Sequence, residues 1–278
     1  MGFSTYTNRK GVRAGAAVVA SAVAVAATVW GVATLVEPGS ADAASRQSVS
    51  GPNGTDTSGG GRAGRPGPGQ GIPEGIAHSS ESGGNTVNIT IDDGPDPRWT
   101  PQVLDVLDQY DVKATFCMVG PRAKAHPDLV KKVVAAGHRL CDHTMDHDTT
   151  MDKKPVDYQE RQILDAKKLI EEAAGNGAKV EYYRAPGGAF TPDSRRIAAA
   201  NGMRPLGWNV DTKDFQKPGT AAIVAAVKRE IGNGPTVLFH DGGGNRAQTV
   251  EALDQVLAWL RDQGRPTGFP VRTAPDAP

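Results

Sequence analysis

From residue 86 to residue 272, short β-type runs alternate with stretches whose apolar positions recur at helical spacing. Thr86 to Ile91, Ala114 to Val119, His138 to Cys141, Val180 to Tyr183, Arg204 to Val210 and Thr236 to Phe239 read as strands, with Phe269 to Arg272 a candidate for one more. Helices lie between them. Thr100-Pro101 has the form of an N-cap followed by Pro in the first turn, and Val103, Leu104 and Leu107 give that helix an apolar face. Pro127 to Ala136 carries Leu129, Val130, Val133 and Val134 and stops at Gly137. Tyr158 to Ala174 is a long helix, and Pro192 to Ala200, Thr220 to Ile231 and Gln248 to Asp262 complete the series.

Strands alternating with helices imply parallel βαβ units. About seven strands fit either an open doubly wound sheet or a barrel. Polar residues decide between them. Asp92 and Asp93 follow the first strand, His143 the third, Arg184 the fourth, Asp211 the fifth and His240 the sixth. Chemistry gathered from the C-terminal ends of several strands is the habit of barrels, whereas an open sheet concentrates it at one switch point. The expected fold is therefore α/β, an incomplete (β/α) barrel with a disordered N-terminal extension.

The extension divides into two parts. Arg9, Lys10 and Arg13 precede an uncharged Ala/Val-rich run from Ala14 to Val36, which Glu37 and Pro38 end. This is the pattern of a secretory signal, and Ala41-Asp42-Ala43 offers a small-x-small cleavage site. The run is also long enough to stay as a signal anchor, since a span needs about 20 residues. Residues 1–43 are thus expected to be a signal peptide or a membrane tether through residues 14–36, and either places the rest outside the cytoplasm, secreted or anchored to the envelope. Residues 44–85 are dominated by Gly, Ser, Pro and Thr and read as a flexible linker. The catalytic region is expected over 86–272, with a tail at 273–278. A tethered monomer is the favoured assembly.

Charge and cysteine content add little. Lys+Arg and Asp+Glu both number 31, so there is no global pull toward nucleic acid. Cys117 and Cys141 fall on strands expected to be neighbours. In an exported chain they form either a disulfide or two buried thiols.

The candidate chemistry lies in five ordered motifs: Thr90-Ile91-Asp92-Asp93-Gly94-Pro95, His143-Thr144-Met145-Asp146-His147, Arg184-Ala185-Pro186-Gly187-Gly188, Asp211-Thr212-Lys213-Asp214-Phe215 and Val237-Leu238-Phe239-His240. Two histidines four apart with one carboxylate are a common catalytic metal set that leaves a position for water. Asp93 is the carboxylate assigned to His143 and His147. Two adjacent buried carboxylates need a cation between them, which leaves Asp92 free as a base. Arg184 suits a bidentate contact that keeps Asp92 ionised. Asp211 is the expected partner of His240, raising its pKa and fitting it to donate a proton. The glycines after Asp241 are expected to leave room for a bulky substrate. His78 is assigned to the linker, His126 to the position before a helix-starting Pro, and His138 to a structural role.

Together the motifs resemble those of NodB-type polysaccharide deacetylases, carbohydrate esterase family four, over roughly Thr86 to Arg272. The resemblance implies a distorted (β/α) barrel that hydrolyses acetyl groups from N-acetylglucosamine polymers or acetylated xylan. It implies Asp92 as catalytic base, Asp93, His143 and His147 as metal ligands, Arg184 orienting the base, His240 as acid and Asp211 as its tuner. Zinc is the expected metal, with cobalt or nickel suited to the same ligands. The family commonly has an aromatic residue where this chain has Gly187, whose backbone N–H would still bind the oxyanion. Phe215 stands where Trp is common and would keep an apolar substrate wall, together with Pro186. Val237 replaces the usual Leu. The leading expectation is an enzyme acting on acetylated polysaccharide of peptidoglycan or chitin type. An acetylxylan esterase with the same site is one alternative, and an inactive glycan-binding wall protein is another.

Overall fold

The computed structural model of the chain describes residues 71–276. The expected signal or anchor at 14–36, the cleavage site and most of the linker lie outside the described residues. No helix among the described residues is long and apolar enough to cross a membrane.

Seven parallel strands curl into an incomplete barrel. They are β1 (Val87–Asp92), β2 (Thr115–Met118), β3 (Arg139–Asp142), β4 (Val180–Tyr183), β5 (Arg204–Pro205), β6 (Val210–Asp211) and β7 (Thr236–His240), in the spatial order β5-β4-β3-β2-β1-β7-β6. An eighth strand, β8 (Thr267–Gly268), pairs with the start of β1. Helices α1 (Trp99–Gln109), α2 (Gly120–Ala125), α3 (Pro127–Ala135), α4 (Val156–Ala174), α5 (Pro192–Ala200), α6 (Thr220–Glu230) and α7 (Ala247–Asp262) connect the strands.

The alternation within β1 shows how this chain builds two buried faces. Val87, Ile89 and Ile91 join the main apolar core with Leu107, Phe116, Leu253 and Leu257. Successive side chains point to opposite faces of a strand. Asn88, Thr90 and Asp92 therefore face the concave interior, yet all three are buried. A polar face hidden from water has to find partners within the protein. Thr90 and Asp92 find one in Arg184, and Asn88 donates to the Thr236 hydroxyl at 2.9 Å. A smaller apolar cluster of Ala77, Cys117, Cys141, Tyr182, Leu206 and Val271 lies on the same concave side. Cys117 and Cys141 sit in register on β2 and β3 and are joined as a disulfide.

Three sequence expectations are corrected. Arg204 to Val210 is not one strand: β5 and β6 lie at opposite edges of the sheet. Pro205 has no N–H for a ladder, and the carbonyls of Leu206 and Gly207 turn inward to accept from Arg184 at 3.2 and 2.8 Å. Phe269 to Arg272 contributes an antiparallel bridge from Pro270 to Ser80, while the strand paired to β1 comes earlier, at Thr267–Gly268. Residues 71–85 are packed against the barrel and are not part of a linker. Ala77 is fully buried, bridges Leu206, and donates to the Pro205 carbonyl at 2.8 Å, and the Thr236 hydroxyl donates to the His78 carbonyl at 2.6 Å. Backbone bonds hold this polar segment where apolar burial alone would not.

Candidate active site

The C-terminal ends of β1, β3, β4, β6 and β7 open onto one cavity of about 440 Å³. Asp92, Asp93, His143, His147, Gly187, Asp211, Phe215 and His240 line it, so most of the expected residues converge. Ala185, Lys213 and Leu238, from within three of the motifs, also line it, and so do Thr149 and Trp208, which lie in no motif.

Asp92 ends β1 and is 2% exposed. Its Oδ1 accepts from Nη1 of Arg184 at 2.6 Å. The rest of the Arg184 guanidinium is used by Thr90, Leu206 and Gly207, and the side chain is wholly buried. An interior cation with all three of its nitrogens hydrogen-bonded is a fixed counter-charge for the carboxylate. The same residue serves His143 by its main chain. The Arg184 carbonyl lies 2.8 Å from Nδ1 of His143, which fixes the proton there and leaves the Nε2 lone pair to face the cavity. Burial holds the His143 imidazole below its ordinary pKa, against the pull of Asp92 and Asp93, which favours the neutral, ligating form.

Asp93 leaves the strand in a left-handed conformation, φ 77°. Its N–H donates to the Cys117 carbonyl at 3.1 Å, and its carbonyl accepts from Arg122 at 2.6 Å. Gly94 is required next because a Cβ there would collide with the Asp241 carboxyl. Of the glycines after Asp241, Gly244 does face open space as expected, whereas Gly242 has a role like that of Gly94. A Cβ on Gly242 would strike the Arg122 guanidinium and the Asp93 carbonyl.

Asp93 Oδ1 lies 3.6 Å from Nε2 of His143 and 3.1 Å from Nε2 of His147. It is buried and has no aligned hydrogen-bond donor among the described residues. Burial alone would raise the Asp93 carboxyl. The adjoining imidazoles of His147, His143 and His240 outweigh it and hold the group well below the usual carboxylate range. One oxygen and two imidazole nitrogens within 4.8 Å of one another, with one atom lacking a donor, fit a divalent cation of zinc type.

The expected partner of His240 is corrected. Asp214, not Asp211, holds the ring: its Oδ1 is 2.6 Å from Nδ1, and its Oδ2 accepts the His240 N–H at 2.9 Å. Thr249 adds a bond to Oδ2 at 2.9 Å. Asp211 instead accepts the Lys213 N–H at 3.0 Å and pairs with the Lys213 ammonium. The two-residue β6 ends at Asp211, and the left-handed Lys213, φ 54°, turns the chain so that Asp214 points inward. Only the second aspartate of the motif could have given this signal. Burial pushes His240 down, but the Asp214 contact, aided by Asp92 and Asp93, holds its pKa above the ordinary value. Burial pushes Asp214 up, and its bonds from His240 and Thr249 bring it below the ordinary value.

Pro186 is also reassigned. It is buried at the start of the turn Pro186–Gly188, and its neighbours Ala185 and Gly187 form the wall instead. Phe215 stands edge-on to His240, ring centres 5.4 Å apart. Away from the cavity, His78 is tied to Asp276 through its backbone, and His126 caps α2 and precedes Pro127 of α3. His138 accepts the Ala114 N–H.

Residues 79–206 match the family described as polysaccharide deacetylase. The chain is 38% identical over 208 residues to a chitooligosaccharide deacetylase of Sinorhizobium fredii, covering 70% of this chain and 93% of that one. It is 40% identical over 183 residues to a peptidoglycan-N-acetylglucosamine deacetylase of Bacillus cereus, covering 64% and 83%. Among solved structures, a CE4 family pseudoenzyme from Bacillus anthracis superposes with a TM-score of 0.65 at 28% identity, covering 71% of this chain and 68% of that one. With identity above a third along nearly the whole of a curated relative, and the five motifs on one cavity, this chain belongs to the polysaccharide deacetylases of carbohydrate esterase family four, hydrolases that remove acetyl groups.

Proposed function

We propose that this chain is a zinc-dependent N-deacetylase of N-acetylglucosamine-containing glycans, peptidoglycan or chitin-type oligomers, working outside the cytoplasm. The observation that carries the reading is the complete set in one cavity: an Arg-paired base, a carboxylate with two imidazoles, and a carboxylate-paired histidine. The two deacetylase relatives act, by name, on chitooligosaccharide and on the N-acetylglucosamine of peptidoglycan, which supports the substrate class. The Bacillus anthracis relative is described as a pseudoenzyme. The intact set here argues against that outcome for this chain.

In this reading Asp93, His143 and His147 would hold the ion. When bound, it supplies Lewis acidity to the acetyl carbonyl and makes water more acidic. Asp92 accepts the proton of the attacking water on Oδ2, because Arg184 occupies Oδ1. The Gly187 N–H donates to the developing oxyanion, a contact of a kind worth about 3 kcal/mol. His240 keeps Nδ1 on Asp214 and donates from Nε2 to the departing amine. An amine leaves poorly unless it is protonated, so a histidine held above its ordinary pKa suits an amide substrate. The amino-terminal run of residues 14–36 would export or tether the enzyme.

The test is acetate release from chitooligosaccharide, from peptidoglycan and from acetylated xylan by the full chain, first with chelator and then with zinc restored. Release from the N-acetylated glycans alone, restored by zinc, is expected. Release from xylan alone would replace the amidase with an esterase, and no release with zinc bound would return the inactive binding protein.

A further inference from the structure

The segment between the two site histidines is strained and needs support. Thr144 and His147 both adopt left-handed conformations, φ 70° and 53°. For a β-branched residue such as threonine this is an outlier, and each such residue costs about 1 kcal/mol or more. Positions of this kind persist only where their surroundings over-determine them. Asp142 Oδ1 accepts the Thr144 N–H at 2.7 Å, and the Thr144 hydroxyl accepts the His147 N–H at 3.2 Å. These bonds fix the ends of the segment but not its middle, Met145 and Asp146.

The middle is held from α4. The buried face of that helix carries Ile163, Ala166, Ile170, Ala173 and Ala174, interrupted by two glutamines, Gln159 and Gln162. Burying an amide is costly unless it is hydrogen-bonded. Gln159 meets this condition through Lys154 and Thr191. Gln162, 6% exposed, is directed at the turn. Its Oε1 accepts the N–H of Met145 at 3.1 Å and of Asp146 at 2.9 Å, and its Nε2 donates to Asp146 Oδ2 at 2.6 Å. One amide thus satisfies both backbone donors and the side chain of the residue before His147. The helix is brought close enough by Gly120, where a Cβ would lie 2.8 Å from the Ala166 backbone and 3.0 Å from the Met145 sulfur.

We propose that Gln162 is a positioning residue for the metal site. It sets the reach of His147 toward Asp93 by clamping Met145 and Asp146, and so tunes zinc affinity from outside the ligand set. This rests on the metal assignment above. No motif contains Gln162, and its hydrogen bonds go to Met145 and Asp146, not to any of the three ligands.

The geometry suggests a paired substitution. Gln162→Glu keeps an oxygen for the two N–H groups but sets a second carboxylate against Asp146. Gln162→Glu with Asp146→Asn restores the donor from the other side. The experiment is zinc affinity of the full chain by chelator competition, with the melting temperature of the zinc-free protein as a check on folding. Outer positions of this kind typically shift metal affinity by about 10- to 100-fold. Gln162→Glu is expected to weaken zinc about 10-fold or more, and the double variant to return within about 3-fold of the original. If Gln162→Glu lowers the melting temperature severely, Gln162→Met, which keeps volume and loses all three bonds, is measured instead and is expected to weaken zinc likewise. Unchanged affinity in a folded single variant, or a double variant as weak as the single, overturns the proposal. An unsubstituted chain that binds no zinc overturns the metal assignment itself, a distinct result.

Discussion

Asp214 holds His240 at two points, the ring Nδ1 at 2.6 Å and the backbone N–H at 2.9 Å. The imidazole is thereby both aimed and raised in pKa. A general acid must be protonated before it can donate, so kcat/KM should fall as pH rises through the His240 pKa. Asp214→Asn removes the charge that raises it. The alkaline limb of the profile should move to lower pH, with a lower maximum. Asp211→Asn should leave that limb in place, because Asp211 faces Lys213. The pH profiles of the two variants check the assignment, and a shift caused by Asp211→Asn alone would reverse it.

The two adjacent aspartates should separate cleanly. Asp92→Asn keeps a carbonyl oxygen for Arg184 but no longer accepts a proton at neutral pH. Turnover should drop by about 10²- to 10⁴-fold while zinc affinity is retained. Asp93→Asn should lose zinc affinity together with turnover. Steady-state rates combined with zinc titration of each variant distinguish these outcomes. Loss of zinc from Asp92→Asn would mean that both carboxylates act as ligands.

Much of this site was legible because it is local. Asp92 and Asp93 follow an alternating strand, and His143 and His147 sit four apart after another, so strand ends and spacing locate them. Asp214 was not legible in the same way. Its inward direction depends on the left-handed Lys213 and on the Thr249 hydroxyl, 35 residues later. The division of Arg204 to Val210 likewise comes from a distant residue, Arg184, which takes the carbonyls of Leu206 and Gly207. Gln162 has no local signal, because its partners Met145 and Asp146 lie 17 and 16 residues earlier. Residues 71–85 have the composition of a linker, and long-range hydrogen bonds distinguish them, among them Ala77 to β5 and the Thr236 hydroxyl of β7 to the His78 carbonyl.

Gly187 stands where the family commonly carries an aromatic residue, and its conformation opposes a simple reversion. Its φ is 61°, and an added Cβ would lie 3.3 Å from the Thr149 side chain. Gly187→Tyr should therefore destabilise the protein by about 1–2 kcal/mol, through strain at φ > 0. Urea unfolding of the two proteins measures this directly. Equal stability would mean that the turn Pro186–Gly188 relaxes when a side chain is present.

The disulfide closes a separation of 24 residues between adjacent parallel strands. A loop of that size constrains the unfolded chain by about 3 kcal/mol. The double variant Cys117→Ala, Cys141→Ala should lose stability of that order in urea. A loss well below 1 kcal/mol would mean that packing of the small concave cluster with Ala77, Tyr182 and Leu206 carries the local stability instead.

His138 gives a pH dependence of folding that is separate from catalysis. It is 7% exposed, accepts the Ala114 N–H at 3.1 Å through Nδ1, and packs against Phe116. Burial, with a smaller contribution from Lys113, pushes its pKa down to about 4. The unfolded chain takes up this proton near the ordinary value, about 6.5. Between these values the unfolded state binds the extra proton, so stability rises with pH there. The contribution of His138 is fully present above about 6.5 and is lost as pH falls toward about 4. His138→Asn keeps an oxygen for the Ala114 N–H and does not titrate. It should be less stable at neutral pH through lost packing, yet lose less melting temperature than the unsubstituted chain between about pH 6.5 and 4.5. The site histidines are common to both proteins, so the difference between the two melting curves isolates His138. Parallel curves would show that the buried ring is already protonated in the folded state or relaxes to reach water.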